Sequence, residues 1–342
     1  MKYSFPKIDL HLHLDGSIRT TTVWDIATKN NLQMPADDME GYDAWMEKCS
    51  YSGSVNEFLK MFDYSTMVMQ DHESLARITK ELIEDIAKQG VVYAEIRFAP
   101  QLHTKNGLTQ RQAIEAVLDG AKQGMAENPT IKVGIICCMM VFGPETINWN
   151  ENMETATITH EYLDKGVVAI DLAGAEGLVP LSNFAPLFEV AKKYNTPIIC
   201  HAGDSQDWVT VKDAIDMGAQ RIGHGHHVYE NPELVRYCAD HNIALEICPN
   251  SNIQCQTRET FELHPAYNLY CVGVPVTINT DNMTMSRTTL DDEYDHCLNE
   301  MGFEYEDLIL MNINSAKYSF MDEEYRKEII AKLEKCLDEV CQ

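Results

Sequence analysis

The residues Ile8-Asp9-Leu10-His11-Leu12-His13-Leu14-Asp15 alternate strictly between apolar and polar side chains. A period of two predicts a β-strand with one apolar face and one face carrying carboxylates and imidazoles. Imidazoles two apart on a strand point the same way, so both could reach one cation. The same pattern would also serve an edge strand with its polar side in water. From about Ile18 to Gln89 the pattern turns helical, and Ile78, Leu82, Ile83 and Ile86 form one stripe in its last segment. So long a helical stretch after a strand of candidate ligands predicts a lid-like insertion.

Beyond it, β-rich runs and helical stripes take turns. Val91–Phe98, Val133–Val141, Val167–Gly174, Pro197–His201, Arg221–His224, Ala244–Cys248 and Pro275–Asn279 read as strands. The run Val133–Val141 is nearly all apolar, as a strand buried on both faces should be. Helices are predicted between them: one with Ile114, Val117, Leu118 and Ala121 on one side, then Phe184–Tyr194 and Val209–Met217. Another opens at Asn231-Pro232, an N-cap followed by proline at the first helical position. From Leu290 onward the chain is helical and acidic. About eight strands separated by helices predict an α/β fold, a single (β/α)8 barrel spanning residues 1–342 with a helical insertion at about 18–89. A doubly wound open sheet is the alternative, but its dinucleotide fingerprint is missing, since Gly223-His224-Gly225 is followed by Val228 where a third glycine belongs.

Charge narrows the partners. With 53 acidic and 27 basic residues the formal net charge is -26, so a nucleic-acid backbone or an anionic membrane would be repelled. A neutral or cationic small molecule is compatible with it. No stretch approaches the ~18 apolar residues of a membrane span, and residues 1–7 lead into the first strand without an apolar signal region. Eleven cysteines without any CxxC read as free thiols in a reducing cytoplasm and argue against a cysteine zinc site.

In a (β/α)8 barrel, active-site residues sit at the C-terminal ends of strands. His11 and His13, His201, His224 and Asp281 all fall at such ends. Barrel interiors are normally filled by branched apolar side chains, so polar residues at four strand ends are hard to explain as packing. Imidazoles with a carboxylate suit Zn²⁺, which would bring a bound water's pKa toward ~7.

These stretches also carry a family resemblance. His11-Leu12-His13-Leu14-Asp15-Gly16, His201-Ala202-Gly203, Gly223-His224-Gly225 and Thr280-Asp281 occur in order and at wide spacings. The chain thereby resembles the adenosine deaminases of the metal-dependent amidohydrolase superfamily, from its first strand to about Tyr294. Asp15 points toward nucleoside deaminases, because related adenine and aminofutalosine deaminases tend to carry Glu there. The resemblance implies one zinc per chain, held by His11, His13, His201 and Asp281, with His13 also facing the substrate. It implies that His224 is the base for the attacking water and that Asp204 protonates purine N1 as hydroxide adds to C6. Asp15 would bond the ribose 5′-hydroxyl, the Gly174 backbone would meet N3, and Asn282 would meet N7. The implied activity is hydrolytic deamination of adenosine and 2′-deoxyadenosine to inosine products and ammonia, in purine salvage. A deaminase of another 6-aminopurine compound and a zinc-containing, purine-binding pseudoenzyme are the alternatives.

Two positions depart from the family pattern. Glu usually stands where this chain has Asp204, which shortens the acid by one methylene; a closed, apolar site is expected to raise its pKa once substrate is bound. Asp207 is a second candidate for the role. Animal enzymes carry a second Asp where Asn282 stands, and an amide can still donate to N7. Elsewhere the expectations are plainer. His226 and His227 read as loop residues, and His160, His241, His264 and His296 as surface or helix-end histidines. His72-Glu73 lacks the second histidine of a zinc helix, with Ala76 in its place. Cys248-Pro249 lacks a partner cysteine.

Overall fold

The structure is a computed structural model that describes residues 2–52 and 55–340. Residues 53 and 54, inside the expected helical insertion, lie outside the described residues. Eight strands follow one another along the chain: β1 (Lys7–His13), β2 (Val91–Phe98), β3 (Lys132–Val141), β4 (Val167–Gly174), β5 (Ile199–Ala202), β6 (Arg221–His224), β7 (Ala244–Ile247) and β8 (Val276–Ile278). β1 to β4 pair in parallel and in order, as do β5 to β8. Two parallel bridges, Ile170 with Ile198 and Leu12 with Asp281, join the two halves at both seams. The result is a closed (β/α)8 barrel, as the alternation of strands and helices predicted, and the open sheet is excluded.

The alternation in β1 has a different meaning from that of an edge strand. Ile8, Leu10 and Leu12 are buried on one face, but Asp9 and His11 on the other are buried as well. The polar face looks into the barrel rather than into water. Asp9 is held there by Thr280, whose Oγ1 donates to Asp9 Oδ2 at 2.6 Å. His13 N donates to Asp281 O at 2.7 Å and Asp281 N to His11 O at 2.8 Å, so the seam between the first and last strands is also where candidate ligands meet.

Between β1 and β2 lie four helices, α1 (Thr20–Lys29), α2 (Met39–Ser50), α3 (Val55–Val68) and α4 (His72–Lys88). Asp71 caps α4 by accepting from Ser74 N at 2.8 Å, and Leu75, Ile78, Leu82, Ile83 and Ile86 are buried along one face. Each such side chain contributes about 1.5–3 kcal/mol of burial before conformational entropy is counted. α2 is tied to the loop after β8, because Ser50 Oγ donates to Met285 O and Arg287 Nη2 to Asp43 O. That loop carries Asn282. No helix among the described residues is long and apolar enough to cross a membrane.

Candidate active site

The strand ends bring the predicted residues together. His13 Nε2 lies 3.2 Å from His201 Nε2 and 3.4 Å from Asp281 Oδ1. His11 Nε2 is 3.4 Å from the same oxygen, is buried, and makes no hydrogen bond among the described residues. His11 Nδ1 hydrogen-bonds Glu246 Oε2 at 2.8 Å, and His201 Nδ1 lies 2.9 Å from Asp171 Oδ2, within ion-pair distance though out of hydrogen-bond alignment. A carboxylate at Nδ1 holds the proton there and leaves the Nε2 lone pair free to ligate. Ser251 Oγ donates to Asp281 Oδ2 at 2.6 Å, which leaves Oδ1 facing the imidazoles. Ligand atoms around a tetrahedral zinc with Zn–N of 2.0–2.1 Å are about 3.3 Å apart, which these separations match. The donor set therefore fits a small divalent cation.

Protonation agrees with this fit. Burial holds His13 well below its ordinary pKa, so it is neutral. Burial pushes Asp281 up, but His11, His13 and His224 outweigh it and hold the carboxyl well below the usual range. His11, His224, Cys248 and Asp281 also cluster, with their ligand atoms within 4.8 Å of one another. Sequence reasoning left Cys248 out of the site. Burial, together with the Asp281 and Asp9 carboxylates, pushes its thiol well up in the metal-free site.

The backbone is shaped around these groups. His224 and Asp281 both have left-handed φ, 60° and 57°, rare for residues with a Cβ and concentrated at functional sites. A Cβ at Gly16 would lie 1.8 Å from Asn282 Oδ1, so only glycine lets Asn282 fold over the end of β1. Asn282 and Asp15 are both buried, each with one carbonyl or carboxylate oxygen lacking a partner among the described residues. Burial, with Asp281, raises Asp15 to about 6. Gly174 is exposed at the end of β4 with φ 109°, where a Cβ would lie 2.5 Å from Val141 O. The His13 and His201 side chains are 15% and 14% exposed and that of Asp204 26%, which makes their side the open mouth of the site.

Asp204 follows β5 in a loop gripped from below by Glu176, which sequence reasoning missed. Glu176 Oε2 accepts from the backbone N of Asp204 at 3.1 Å, Ser205 at 2.8 Å and Gln206 at 3.2 Å. Its Oε1 accepts from Gly203 N at 2.6 Å and Thr210 Oγ1 at 2.6 Å. The protein's own side chains act on Asp204 against the expected rise. Burial pushes its pKa up, but His224 and a hydrogen bond from His226 outweigh it and hold the carboxyl below the usual range. Asp207 is the exposed N-cap of the helix Trp208–Asp216, accepting from Val209 N at 2.9 Å, and is not in the site.

Two histidines differ from expectation. His226 is fully buried in the turn after β6, with Nε2 3.3 Å from Asp204 Oδ1. His264 is also buried, 3.2 Å from Asn252 Oδ1. By contrast His160, His241 and His296 stack on Tyr194, Tyr237 and Phe261, away from the site.

Under the ligands lies an ionic layer. Arg97 Nη1 pairs with Asp171 at 2.8 Å and its Nη2 with Glu246 at 2.7 Å; Arg221 Nε pairs with Glu246 at 2.6 Å, and its Nη2 with Glu95. Burial pushes Glu246 up, but Arg97 and Arg221 hold it well below the usual range, so it stays an acceptor for His11.

The sequence matches the family described as adenosine deaminase over residues 6–336. An adenosine deaminase of Haemophilus ducreyi is 36% identical over 330 residues, 96% of this chain and 95% of that protein. The chain belongs to the adenosine deaminase family. Among solved structures, the N6-methyl-AMP deaminase of Arabidopsis thaliana superposes with TM-score 0.82 at 26% identity, covering 97% of each chain. An amidohydrolase from Burkholderia ambifaria, solved with bound Zn, shares the fold at TM-score 0.84 and 20% identity, over 98% of this chain and 92% of that one. The family is metal-dependent, and the His and Asp cluster of this chain is a candidate site for that metal.

Proposed function

We propose that the protein is a zinc-dependent hydrolase that deaminates adenosine and 2′-deoxyadenosine to inosine products and ammonia, in cytoplasmic purine salvage. The observation that carries this reading is the 3.2–3.4 Å convergence of His13 Nε2, His201 Nε2 and Asp281 Oδ1 beside the unpartnered Nε2 of His11.

One zinc per chain would be held by His11, His13, His201 and Asp281. When bound, it lowers the pKa of a water toward ~7 and so supplies hydroxide near neutral pH. As oxygen adds to C6, electrons move to N1, which must gain a proton as the bond forms. Asp204 delivers that proton, so substrate binding must protonate a carboxyl that the free site holds below the usual range. His224 orients the attacking water and takes up its proton. Asn252 Nδ2 lies 3.1 Å from His224 Nδ1, so with this contact made the ring hydrogen is on Nε2, and proton uptake requires the contact to open. The proton then passes to the departing amine, which leaves as ammonia while the C6 hydroxyl gives its proton back to Asp204 and becomes the 6-oxo group. Asp15 receives the ribose 5′-hydroxyl, the Gly174 backbone meets N3, and the Asn282 amide donates to N7. The helices between β1 and β2 act as a lid, anchored through α2 to the loop that carries Asn282.

A 5′-phosphorylated substrate, such as the name of the Arabidopsis relative suggests, is disfavoured. With a pKa of about 6, Asp15 is largely ionised at neutral pH and would repel a phosphate. The test is ammonia release from adenosine, deoxyadenosine, adenine, AMP and an aminofutalosine-type nucleoside. The two adenine nucleosides should be turned over fastest. Preference for any other compound redirects the substrate assignment, and nucleoside binding without ammonia would make the protein a pseudoenzyme.

A further inference from the structure

Three donors converge on one oxygen of Asp204. Asn252 Nδ2 lies 2.8 Å from Oδ1, Thr257 Oγ1 3.1 Å and His226 Nε2 3.3 Å, while Thr257 Oγ1 also lies 3.1 Å from Asn252 O and 3.3 Å from His226 Nε2, so its one hydrogen is shared between two acceptors. The directions of two of these bonds are fixed by groups farther out. Arg258 Nε donates to His226 Nδ1 at 2.8 Å, and a guanidinium has no acceptor, so Nδ1 must carry the lone pair. The hydrogen of the neutral ring is then on Nε2, aimed at Asp204. Burial, assisted by Arg258 and His227, lowers the His226 pKa to about 3 despite the Asp204 carboxylate, which keeps the ring neutral.

A second chain reaches the same oxygen. The backbone N of Ala266 donates to His264 Nδ1 at 3.2 Å, which leaves the hydrogen on Nε2 to donate to Asn252 Oδ1 at 3.2 Å. The amide of Asn252 is thereby oriented with Nδ2 toward Asp204. The turn bearing His226 is itself pinned beside the acid, because Gly225 N donates to Ala202 O at 3.0 Å and His227 N to Gly203 O at 3.1 Å.

We propose that His226, with its tautomer set by Arg258, is a positioning residue that acts with Asn252 and Thr257 to saturate Asp204 Oδ1 with donors, so that the acid proton can reside only on Oδ2. This rests on the reading of Asp204 as the donor to purine N1. It also shows how a carboxyl one methylene shorter than Glu acquires a single orientation: its carbonyl-like oxygen is clamped, and rotation about Cβ–Cγ is lost. The proton delivered to N1 leaves from Oδ2, and Oδ1 keeps Asn252 and His226 as donors before and after transfer, with the Thr257 hydroxyl beside them.

The experiment has two arms. In ¹⁵N-histidine spectra of the zinc-loaded protein at neutral pH, His226 should be neutral with its hydrogen on Nε2, and Arg258→Gln should shift it toward the Nδ1–H form. An imidazolium, or an Nδ1–H tautomer in the unmodified protein, overturns the clamp whether or not any nucleoside is turned over. In kinetics, His226→Phe should lower kcat/KM for adenosine tenfold or more at unchanged zinc content. It should also shrink the preference in binding for adenosine over 1-deazaadenosine, which has no N1. His226→Gln, whose amide can still donate, should recover most of the loss. In the Asp204→Asn background His226→Phe should add no further loss, because it acts through Asp204. Additive losses, or a His226→Phe protein within twofold of the parent, overturn the proposal while leaving the deaminase reading intact. Absence of ammonia release from adenosine by the unmodified protein would sink that reading instead.

Discussion

Replacing Glu176 by Gln isolates how much the acid-bearing loop depends on one carboxylate. In the better of the two amide orientations the carbonyl takes the place of Oε2 and still accepts from the backbone of Asp204, Ser205 and Gln206. The NH₂ then faces Thr210, whose hydroxyl can turn to accept it, and Gly203 N falls back on Thr210 Oγ1 at 2.9 Å. What is lost is the charge on the three bonds to Oε2 and, at Oε1, the bond from Gly203 N, for which Thr210 Oγ1 substitutes. A hydrogen bond to a charged group contributes about 1.5–3 kcal/mol against about 0.5–1.5 kcal/mol for a neutral one, so the loss is about 1 kcal/mol per bond. Glu176 is only partly buried and Ser205 and Gln206 are exposed, so water recovers part of that sum. About 1.4–2 kcal/mol should remain, which corresponds to a ten- to thirtyfold fall in kcat/KM for adenosine. The assay is steady-state ammonia release, alongside hydrogen exchange at the amides of residues 203–206, which should quicken. Zinc content and the unfolding midpoint should be near those of the parent. A kcat/KM within twofold of the parent, with exchange unchanged, would refute the claim that Glu176 sets this loop.

Three further outcomes follow from the site. Removing the imidazole in His224→Ala should leave zinc occupancy near normal while kcat falls by several orders of magnitude; metal analysis beside kinetics checks it, and loss of zinc would make His224 a ligand. Asp171→Asn should weaken zinc binding by about ten- to a hundredfold, because it withdraws the charge at His201 Nδ1, and a chelator competition reads the change. Asp15→Ala should raise KM for adenosine much more than it lowers kcat, since a ribose contact is shared by ground and transition states. Any residual activity on free adenine should be unaffected, and an equal effect there contradicts the ribose assignment.

The barrel could be read from the sequence because each strand announces itself as a short apolar run, and eight such runs alternate with helices. The metal cluster could be read because its residues stand at strand ends, where packing gives a histidine no reason to be. Asp171 and Glu246 escaped because each is one charged residue inside an otherwise apolar strand. Their value lies in contacts across the barrel, from β4 to β5 and from β7 to β1, that no local spacing encodes. The partial signal was in β2, where Glu95 and Arg97 put two charges on one face of a strand that is buried at every position but Val92. Glu176 and His226 escaped for another reason. Both act on a loop after a different strand, so their partners become visible only once β4, β5 and β6 are side by side.

The central claim is that turnover needs the metal held by His11, His13, His201 and Asp281. Its most direct test is to strip the protein by chelation, measure metal content and ammonia release from adenosine, and then titrate zinc back. Activity should vanish with the metal and return in proportion to bound zinc, saturating at one per chain, and His11→Ala should not recover over the same titration. Full deamination of adenosine by protein with no detectable metal would contradict the account.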